Sequence, residues 1–357
     1  MTSRLEQLRT VLKKNDVEAI FIQSAANRRY LSGFTGTAGS LLVTGANAYF
    51  ITDFRYIQQA KEQCPDYEIV EQTSTAYKNL AELIKKHDIA SLAFEKEHVS
   101  YASFEALQHY CQGINLKPTD GIVEEIRMTK DDNELAVLQE AADVADSAFS
   151  HITHFIKPGM KETEVRDELE FFMRKQGADA SSFDIIVASG YRSALPHGVA
   201  SEKVIEKGEL VTLDFGAYYK GYCSDITRTV AVGSPSEELK AIYNTVYEAQ
   251  LKAVSEIKAG MTGKEADTVA REYIKENGYG GYFGHGLGHG LGMEVHEGPR
   301  LSPKGERTLE PGMVVTVEPG IYVPELGGTR IEDDIVITKD GNKRLTKSPK
   351  ELMVIGE

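Results

Sequence analysis

The sequence has few cysteines, no long hydrophobic run and no excess of basic residues. Its three cysteines are scattered and odd in number, which is typical of free thiols in a reducing cytosol rather than of a disulfide framework. No apolar stretch approaches the ~18 residues of a membrane span, and the charged N-terminal sequence has no apolar segment, so we expect neither a membrane helix nor a signal peptide. The net charge of −14 argues against a nucleic-acid partner, because phosphate binding needs a basic surface.

Length and patterning predict two domains. A chain of 357 residues exceeds one ordinary hydrophobic core, and 41% hydrophobic with 26% charged residues is typical of a soluble globular protein. In the first third, helical patterns such as EQLRTVLKKND alternate with strand patterns such as VEAIFI. The charged segment GIVEEIRMTKDD then precedes a long helical pattern. We therefore predict a mixed α/β protein (α/β or α+β class) with domains over residues 1–125 and 126–357.

The second domain repeats itself. IKPGMKETEVRDELEFFMRKQG, from Ile156, and IKAGMTGKEADTVAREYIKENG, from Ile257, align 101 positions apart, and each predicts a helix that ends at a glycine. Further on, IEKGELVTLDFGAY and LEPGMVVTVEPGIY align 104 positions apart, which places Asp214 opposite Glu318. Because both matches keep the same order, we predict a duplication whose two halves are related by a pseudo-twofold axis.

Each half carries a strand acid followed by a downstream acid. In the first half, a two-residue turn at Tyr219-Lys220 would pair position i with position 439 − i, so that Asp214 faces Asp225 with Cβ atoms ~5 Å apart. In the second half, Glu318 precedes the pair Glu332-Asp333. An alternative is a slipped register that leaves one acid solvated.

A pseudo-twofold axis would bring four carboxylates together. Carboxylates that close repel one another unless a proton or a cation lies between them. Two divalent metal ions, which lie about 3.5–4 Å apart in dinuclear sites, would balance four negative charges. Carboxylate-rich ligation favours Mn²⁺ or Mg²⁺, and an added histidine shifts the preference toward Mn²⁺, Co²⁺ or Zn²⁺.

The stretch GHGLGHGLGMEVHEGP holds three of the nine histidines. Its glycine spacing does not fit a dinucleotide-binding loop, and it contains neither a phosphate-loop lysine nor HExxH. Alternating glycines allow close backbone approach, so its histidines would project into a crowded site; for each, a hydrogen-bonded structural histidine is the alternative. His197 and His296 lie 99 positions apart, near the repeat offset, and would flank the acids as general acid–base or oxyanion groups.

Several segments carry a resemblance to a known family. HGLGHGLGMEVHE, TLDFGAYYKGYCSDITRT, TVEPGIYVPELGG and TRIEDD resemble the pita-bread metallopeptidases, which include Xaa-Pro dipeptidases, Xaa-Pro aminopeptidases and methionine aminopeptidases. RRYLSGFTGTAGSLLVTG and ITDFRYIQQA resemble the creatinase-type N-terminal domain of the proline-specific members. The resemblance covers nearly the whole chain and is closest to bacterial Xaa-Pro dipeptidase and aminopeptidase P-like proteins. It implies a creatinase-type α/β domain followed by a pseudo-twofold pita-bread catalytic domain.

The resemblance implies a role for each candidate residue. Two divalent ions, with Mn²⁺ preferred over Co²⁺ or Zn²⁺, would be held by Asp214, Asp225, His289, Glu318 and Glu332. A metal-bridging water or hydroxide would attack the carbonyl of an Xaa-Pro bond, with Glu318 as a proton shuttle. His197 and His296 would stabilise the oxyanion or the leaving nitrogen. The substrate site would be lined by His285, Tyr322 and Arg330.

The resemblance also implies a cytosolic homodimer that acts on small proline-containing peptides. A dipeptidase needs a cation to bind the free carboxylate of its substrate, for which Arg300, Lys304 and Arg307 are candidates; an exposed basic loop is the alternative. Two other functions on this scaffold are a metal-free creatinase-like hydrolase and an inactive binding protein. Both predict that metal ligands are replaced by other residues, whereas all five ligands are present in this sequence.

Overall fold

A computed structural model describes residues 3–356, and the chain divides into two compact units, residues 1–127 and 128–357. Over the described range, none of the helices combines the length and apolarity that a membrane crossing needs. The long helical pattern predicted after the charged segment is confirmed as a helix over Asp132–Phe155. It begins at a capping box, in which Asp131 accepts from the backbone N–H of Glu134 and Glu134 accepts from that of Asp131.

Over its described residues, the first unit contains one six-stranded sheet and six helices. The strands are β1 (Ala19–Ile22), β2 (Ser40–Thr44), β3 (Ala48–Thr52), β4 (Glu68–Glu71), β5 (Ser91–Glu95) and β6 (Asn115–Thr119). The helices are α1 (Arg4–Lys14), α2 (Ala25–Ser32), α3 (Ile57–Gln63), α4 (Ala76–Lys86), α5 (Tyr101–Tyr110) and α6 (Ile122–Arg127). The order is β4-β3-β2-β1-β5-β6, with β2 antiparallel to both neighbours and every other pair parallel.

The second unit contains four long helices and several short sheets. The helices are α7 (Asp132–Phe155), α8 (Glu162–Lys175), α9 (Glu237–Glu256) and α10 (Gly263–Glu276). In the first half the strands are β7 (Ala180–Ser181), β8 (Ile186–Ser189), β9 (Glu209–Phe215), β10 (Ala217–Tyr219), β11 (Tyr222–Cys223) and β12 (Ile226–Val232). In the second half they are β13 (Gly288–Gly290), β14 (Glu297–Leu301), β15 (Val314–Val317), β16 (Gly320–Val323), β17 (Gly327–Arg330), β18 (Asp333–Ile337), β19 (Asn342–Arg344) and β20 (Val354–Ile355).

Two of these sheets carry the site, and each has its own hydrophobic core. The orders are β20-β12-β9-β8 and β14-β13-β15-β18-β19, beside a three-stranded sheet β11-β10-β7 and the hairpin β16-β17. One core joins α7 and α8 to β9 and β12, and the other joins α9 and α10 to β15 and β18. Each helix pair therefore covers the apolar face of its own sheet.

Backbone contacts in the two halves recur at the offsets of the predicted duplication. In the loop before α8, the backbone N–H of Gly159 donates to Ile205 O over 2.9 Å. In the loop before α10, the backbone N–H of Gly260 donates to Leu309 O over the same distance. The two acceptors are 104 positions apart, which is the offset of the matched sequences. The same hydrogen bond therefore fastens the start of the second helix to its sheet in both halves.

The predicted hairpin turn in the first half is wrong by one position. The turn lies at Lys220-Gly221, so Tyr219 pairs with Tyr222 and the opposed positions sum to 441 instead of 439. Both turn residues have positive φ, 50° and 91°, which the favoured two-residue hairpin turn requires and glycine adopts without strain. Asp214 therefore pairs with Thr227, and Asp225 becomes its diagonal neighbour two residues away.

Candidate metal centre

A cavity of about 630 Å³ in the second unit brings together nine of the ten predicted site residues. The nine are Asp214, Asp225, His289, Glu318, Glu332, His197, His296, His285 and Arg330. The tenth, Tyr322, does not line the cavity but lies behind residues that do, and it is 8% exposed. Residues from both halves thus meet at one place, although the register that predicted the meeting of Asp214 and Asp225 was wrong.

The two halves are joined at the carboxylates by Thr227. The backbone N–H of Glu332 donates to Thr227 O over 3.0 Å, and Thr227 Oγ1 donates to Glu332 Oε2 over 2.6 Å. Because Thr227 is also the strand partner of Asp214, it fixes the downstream acid of the second half beside the strand acid of the first.

Three of the buried carboxylates that line the cavity each have one oxygen with no hydrogen-bond partner among the described residues. These atoms are Asp214 Oδ1, Asp225 Oδ1 and Glu332 Oε1, in side chains of residues at most 8% exposed. Burial first, and then the neighbouring carboxylates, raise the pKa of Asp225 and of Glu332 well above their ordinary values. Burial also raises the pKa of Glu318 to about 7. A buried oxygen that accepts no hydrogen bond costs free energy. These carboxylate oxygens therefore fit hard divalent cations, which they could bind as ligands.

His289 supplies a nitrogen to the same group. Its Nδ1 lies 3.1 Å from Gly290 O, which assigns the ring proton to Nδ1 and leaves the Nε2 lone pair free. Nε2 lies 3.3 Å from Glu318 Oε1 and 3.8 Å from Asp225 Oδ2. Burial lowers the pKa of His289 to about 4, which keeps the ring neutral, as a metal ligand must be. Ligand atoms of Asp225, His289 and Glu332 all lie within 4.8 Å of one another.

The glycines around His289 are required by close backbone contacts. A Cβ at Gly288 would overlap the carbonyl oxygen of Thr316, and a Cβ at Gly290 would overlap that of Gly298. These glycines let β13 lie tightly between β14 and β15. The alternating glycines therefore place His289 at the acids, as the close-approach interpretation of the stretch predicted.

Arg330 connects the carboxylates to the other end of the cavity. Its Nη2 donates to Asp214 Oδ2, and its Nη1 donates to the Tyr322 hydroxyl over 2.9 Å. The hydroxyl in turn lies 2.8 Å from His285 Nε2, which accepts because His285 Nδ1 donates to Gly286 O. Burial, and next the charge of Arg330, lower the pKa of His285 to about 4. The chain of donors fixes all three side chains in one orientation.

The two other histidines face the cavity from loops. His296 meets the ring of His289 edge to face at 4.4 Å between centroids, and burial lowers its pKa. Like His296, His197 is exposed, and it follows a 3₁₀ helix over Gly190–Ala194. Of the candidate carboxylate-binding cations, Arg300 lines the cavity and is the strand partner of His289. Neither Lys304 nor Arg307 lines it, and Arg307 lies 3.7 Å from Glu310 instead.

The two acids of the downstream pair have different surroundings. Asp333 accepts from Arg228 Nη2 and Lys350 Nζ, both over 2.8 Å, and from Gln250 Nε2 over 3.0 Å. Burial alone would raise the pKa of Asp333, but Arg228 and Lys350 lower it below the ordinary value. Asp333 is therefore a structural ion-pair residue, whereas its neighbour Glu332 faces the cavity.

Sequence reasoning missed three residues that hold the candidate ligands. Thr227 Oγ1 donates to Glu332 Oε2 over 2.6 Å, and Thr316 Oγ1 donates to Glu318 Oε1 over 3.0 Å. Asp334 Oδ2 accepts from the backbone N–H of Asp225 over 2.9 Å. A signal for Asp334 was present in TRIEDD, because alternate residues of an extended segment share a face and Glu332 and Asp334 are two apart. Nothing in the sequence marks the two threonines.

Comparisons with known proteins agree with the resemblance. Metallopeptidase family M24 matches residues 136–339, and the creatinase/prolidase N-terminal domain matches residues 4–129. An Xaa-Pro dipeptidase of Pyrococcus horikoshii is 43% identical, with 99% of each chain covered. An Xaa-Pro dipeptidase structure from Bacillus anthracis has 56% identity and a TM-score of 0.97, with 99% of each chain covered. An X-Pro aminopeptidase structure from Thermotoga maritima has 41% identity and a TM-score of 0.91, with 97% of this chain and all of that chain covered. The predicted fold class is confirmed.

Proposed function

The chain belongs to metallopeptidase family M24, and from this premise we propose that it is an Xaa-Pro dipeptidase that works with two divalent cations. The observation that carries the proposal is the group of buried carboxylate oxygens without donors beside the free Nε2 of His289. The substrate class rests on the relatives, whose names specify Xaa-Pro bonds. The metal-free and inactive alternatives are disfavoured, because both predict lost ligands.

Five side chains are proposed to hold the cations, namely Asp214, Asp225, His289, Glu318 and Glu332. Mn²⁺ suits four carboxylates and one imidazole, with Co²⁺ and Zn²⁺ as alternatives. When bound, the cations polarise the scissile carbonyl and lower the pKa of water. Membership of a metallopeptidase family supports divalent cations in general; their number and identity are part of the proposal.

The remaining cavity residues are proposed to bind substrate and to move protons. His197 and His296 reach the cavity from opposite halves and would donate to the developing oxyanion or to the leaving nitrogen. Glu318 would carry a proton toward the proline nitrogen, which has no N–H of its own in the peptide. His285 and Arg330 would contact the substrate, and Tyr322 would act through them by holding both in place.

The compartment, the oligomeric state and the size of the substrates are also part of the proposal. The three cysteines are free and buried, which fits a reducing compartment, so we place the protein in the cytoplasm. We propose a homodimer that hydrolyses small proline-containing peptides, as the family resemblance implies. Sedimentation of the purified protein measures the oligomeric state.

Cleavage of a small peptide panel tests the function. The Mn²⁺-loaded protein should release proline from Ala-Pro, cleave Ala-Pro-Ala at least about tenfold more slowly, and leave Met-Ala-Ser intact, because the cavity is proposed to bind the dipeptide's carboxylate. Chromatographic quantification of the products gives the rates. Comparable cleavage of Ala-Pro-Ala would assign an aminopeptidase instead, and no cleavage with any divalent metal would contradict the peptidase proposal.

Arg300→Ala tests how the dipeptide is recognised. Loss of a charge-assisted hydrogen bond to the free carboxylate, about 1.5–3 kcal/mol, should lower kcat/KM for Ala-Pro roughly 10- to 100-fold. Hydrolysis of Ala-Pro amide, which lacks the carboxylate, should be unchanged. Lys304→Ala is the matched control, since Lys304 is exposed and does not line the cavity. Equal losses on both substrates would show that Arg300 does not bind the carboxylate.

A further inference from the structure

The loop that carries His197 is fastened at both ends by one buried carboxylate. We propose that this residue, Glu162, is a positioning residue that holds His197 over the metal centre. The inference rests on the proposed function, since it concerns the placement of a group that acts on the substrate. Glu162 does not line the cavity and would act only through the loop.

Glu162 is fully buried at the start of α8, and its carboxylate accepts five hydrogen bonds. Oε1 accepts from the backbone N–H and the hydroxyl of Ser189, over 2.7 and 2.8 Å. Oε2 accepts from the backbone N–H and the hydroxyl of Ser201, over 3.1 and 2.8 Å, and from Arg192 Nη1. Ser189 ends β8 and Ser201 follows the loop, so the carboxylate joins the two ends of residues 190–200.

A second link crosses the loop next to the histidine. Arg192, which is paired with Glu162, also donates from Nη2 to Val199 O over 2.9 Å, and the backbone N–H of Val199 donates to His197 O over 2.9 Å. On the cavity side, Arg330 Nη1 donates to Pro196 O over 3.2 Å. Pro196, which precedes His197, is therefore tied to Arg330, and Val199, two residues after His197, is tied to Glu162 through Arg192.

The other half fastens its histidine loop at the equivalent helix position by different means. The repeat offset of 101 places Gly263 of α10 opposite Glu162. Glu162 N donates to Lys203 O and Gly263 N donates to Arg307 O, both over 3.0 Å. A Cβ at Gly263 would overlap the carbonyl oxygen of Arg300, so the segment that follows His296 packs directly on the helix start. In the first half, the side chain of Glu162 spans the corresponding distance between the start of α8 and the histidine loop.

All five groups that contact the side chain of Glu162 are hydrogen-bond donors. A carboxylate has acceptor sites alone, whereas an amide of the same shape turns a donor toward donors already present. Glu162→Gln should thus loosen both ends of the loop while keeping the buried volume. A misplacement of about 1 Å in a catalytic group costs up to about 100-fold in rate.

The experiment is a double-mutant cycle with Glu162→Gln and His197→Ala in the full-length protein. On Ala-Pro, Glu162→Gln should lower kcat about 10- to 100-fold with KM changed less than about threefold. In the His197→Ala background it should lower kcat less than about twofold, because its effect passes through His197. Calorimetric titration of the metal-free protein with Mn²⁺ should give the same affinity for wild type and Glu162→Gln, since no metal ligand is touched.

Asp146→Asn is the matched control. Its carboxylate also fastens a distant segment, through Lys347 N and Ser348 N, each over 2.7 Å, without lining the cavity. It should lose stability and keep kcat. If Glu162→Gln does not fold, Ser201→Ala, which removes one of the five donors, should show a smaller loss of kcat with the same dependence on His197.

Two outcomes would overturn the role of Glu162 while leaving the proposed function intact. One is equal losses of kcat in the two backgrounds, and the other is unchanged kcat in Glu162→Gln. A wild type that cleaves no Xaa-Pro peptide would contradict the proposed function itself. In that case the ring ¹⁵N signals of His197 still decide the positioning: a sharp signal in wild type should broaden in Glu162→Gln, and an unchanged signal overturns the inference.

Discussion

Asp225→Asn should lower kcat for Ala-Pro by at least about a thousandfold. Asp225 is 5% exposed, one of its oxygens has no partner among the described residues, and the other lies 3.8 Å from His289 Nε2. An asparagine of the same shape offers one neutral oxygen and an amide donor in place of two charged acceptors. Cations contribute several kcal/mol to the transition state, and each 1.36 kcal/mol is tenfold in rate.

The loss should not come from misfolding. The backbone N–H of Asp225, which donates to Asp334 Oδ2, is retained in the variant. Because Asn removes one of several mutually repelling buried carboxylates, the metal-free variant should unfold at no lower temperature than the metal-free wild type. Steady-state rates and thermal denaturation in a chelator measure the two effects. Exposed Asp340→Asn is the control and should keep full activity; a nearly normal rate for Asp225→Asn would refute the metal assignment.

Removal of the cations should have a comparable effect on activity and a separate effect on stability. After dialysis against a chelator, hydrolysis of Ala-Pro should fall by at least about a thousandfold, because the cations proposed to lie between Asp214, Asp225 and Glu332 would no longer polarise the scissile carbonyl or lower the pKa of water. Each cation at 100 times its dissociation constant stabilises the folded state by about 2.7 kcal/mol. For a unit of this size that corresponds to a rise in Tm of roughly 5–10 °C.

Thermal denaturation with increasing Mn²⁺ measures the stabilisation. Mg²⁺ is a useful comparison, because it prefers oxygen ligands and makes less use of the imidazole of His289. His289→Ala should reduce the shift produced by Mn²⁺ more than the shift produced by Mg²⁺. Equal shifts in wild type and in the variant would show that His289 is not a ligand.

The site could be predicted from the sequence because the acids and the histidine that form it are concentrated in a few short segments. Two acids in one predicted hairpin, their counterparts 104 and 107 positions on, and a glycine-spaced histidine indicate a metal site whatever the detailed register. The hairpin illustrates this. The predicted turn lies one position too early, because Gly221 adopts the positive φ that the turn requires, yet Asp214 and Asp225 still line one cavity.

The residues that hold the site could not be predicted, because their partners are distant in sequence. Asp333 pairs with Arg228 and Lys350, which are 105 and 17 positions away, and no local pattern separates it from its neighbour Glu332. Glu162 stands in a helix start where an acid is expected for local reasons. Its contacts with Ser189 and Ser201 come only from the folded loop, and Tyr322 was predicted at the cavity but lies one layer behind it.

The most direct test of two cations acting in one peptidase site is the rate of proline release from Ala-Pro as Mn²⁺ is added to metal-free protein. Asp214, Asp225, His289, Glu318 and Glu332 are proposed to provide ligands for two ions, so the rate should start near zero and reach its plateau at two equivalents per chain. A full rate without added metal, with bound metal excluded by elemental analysis, would contradict this, as would no proline release at any Mn²⁺ concentration.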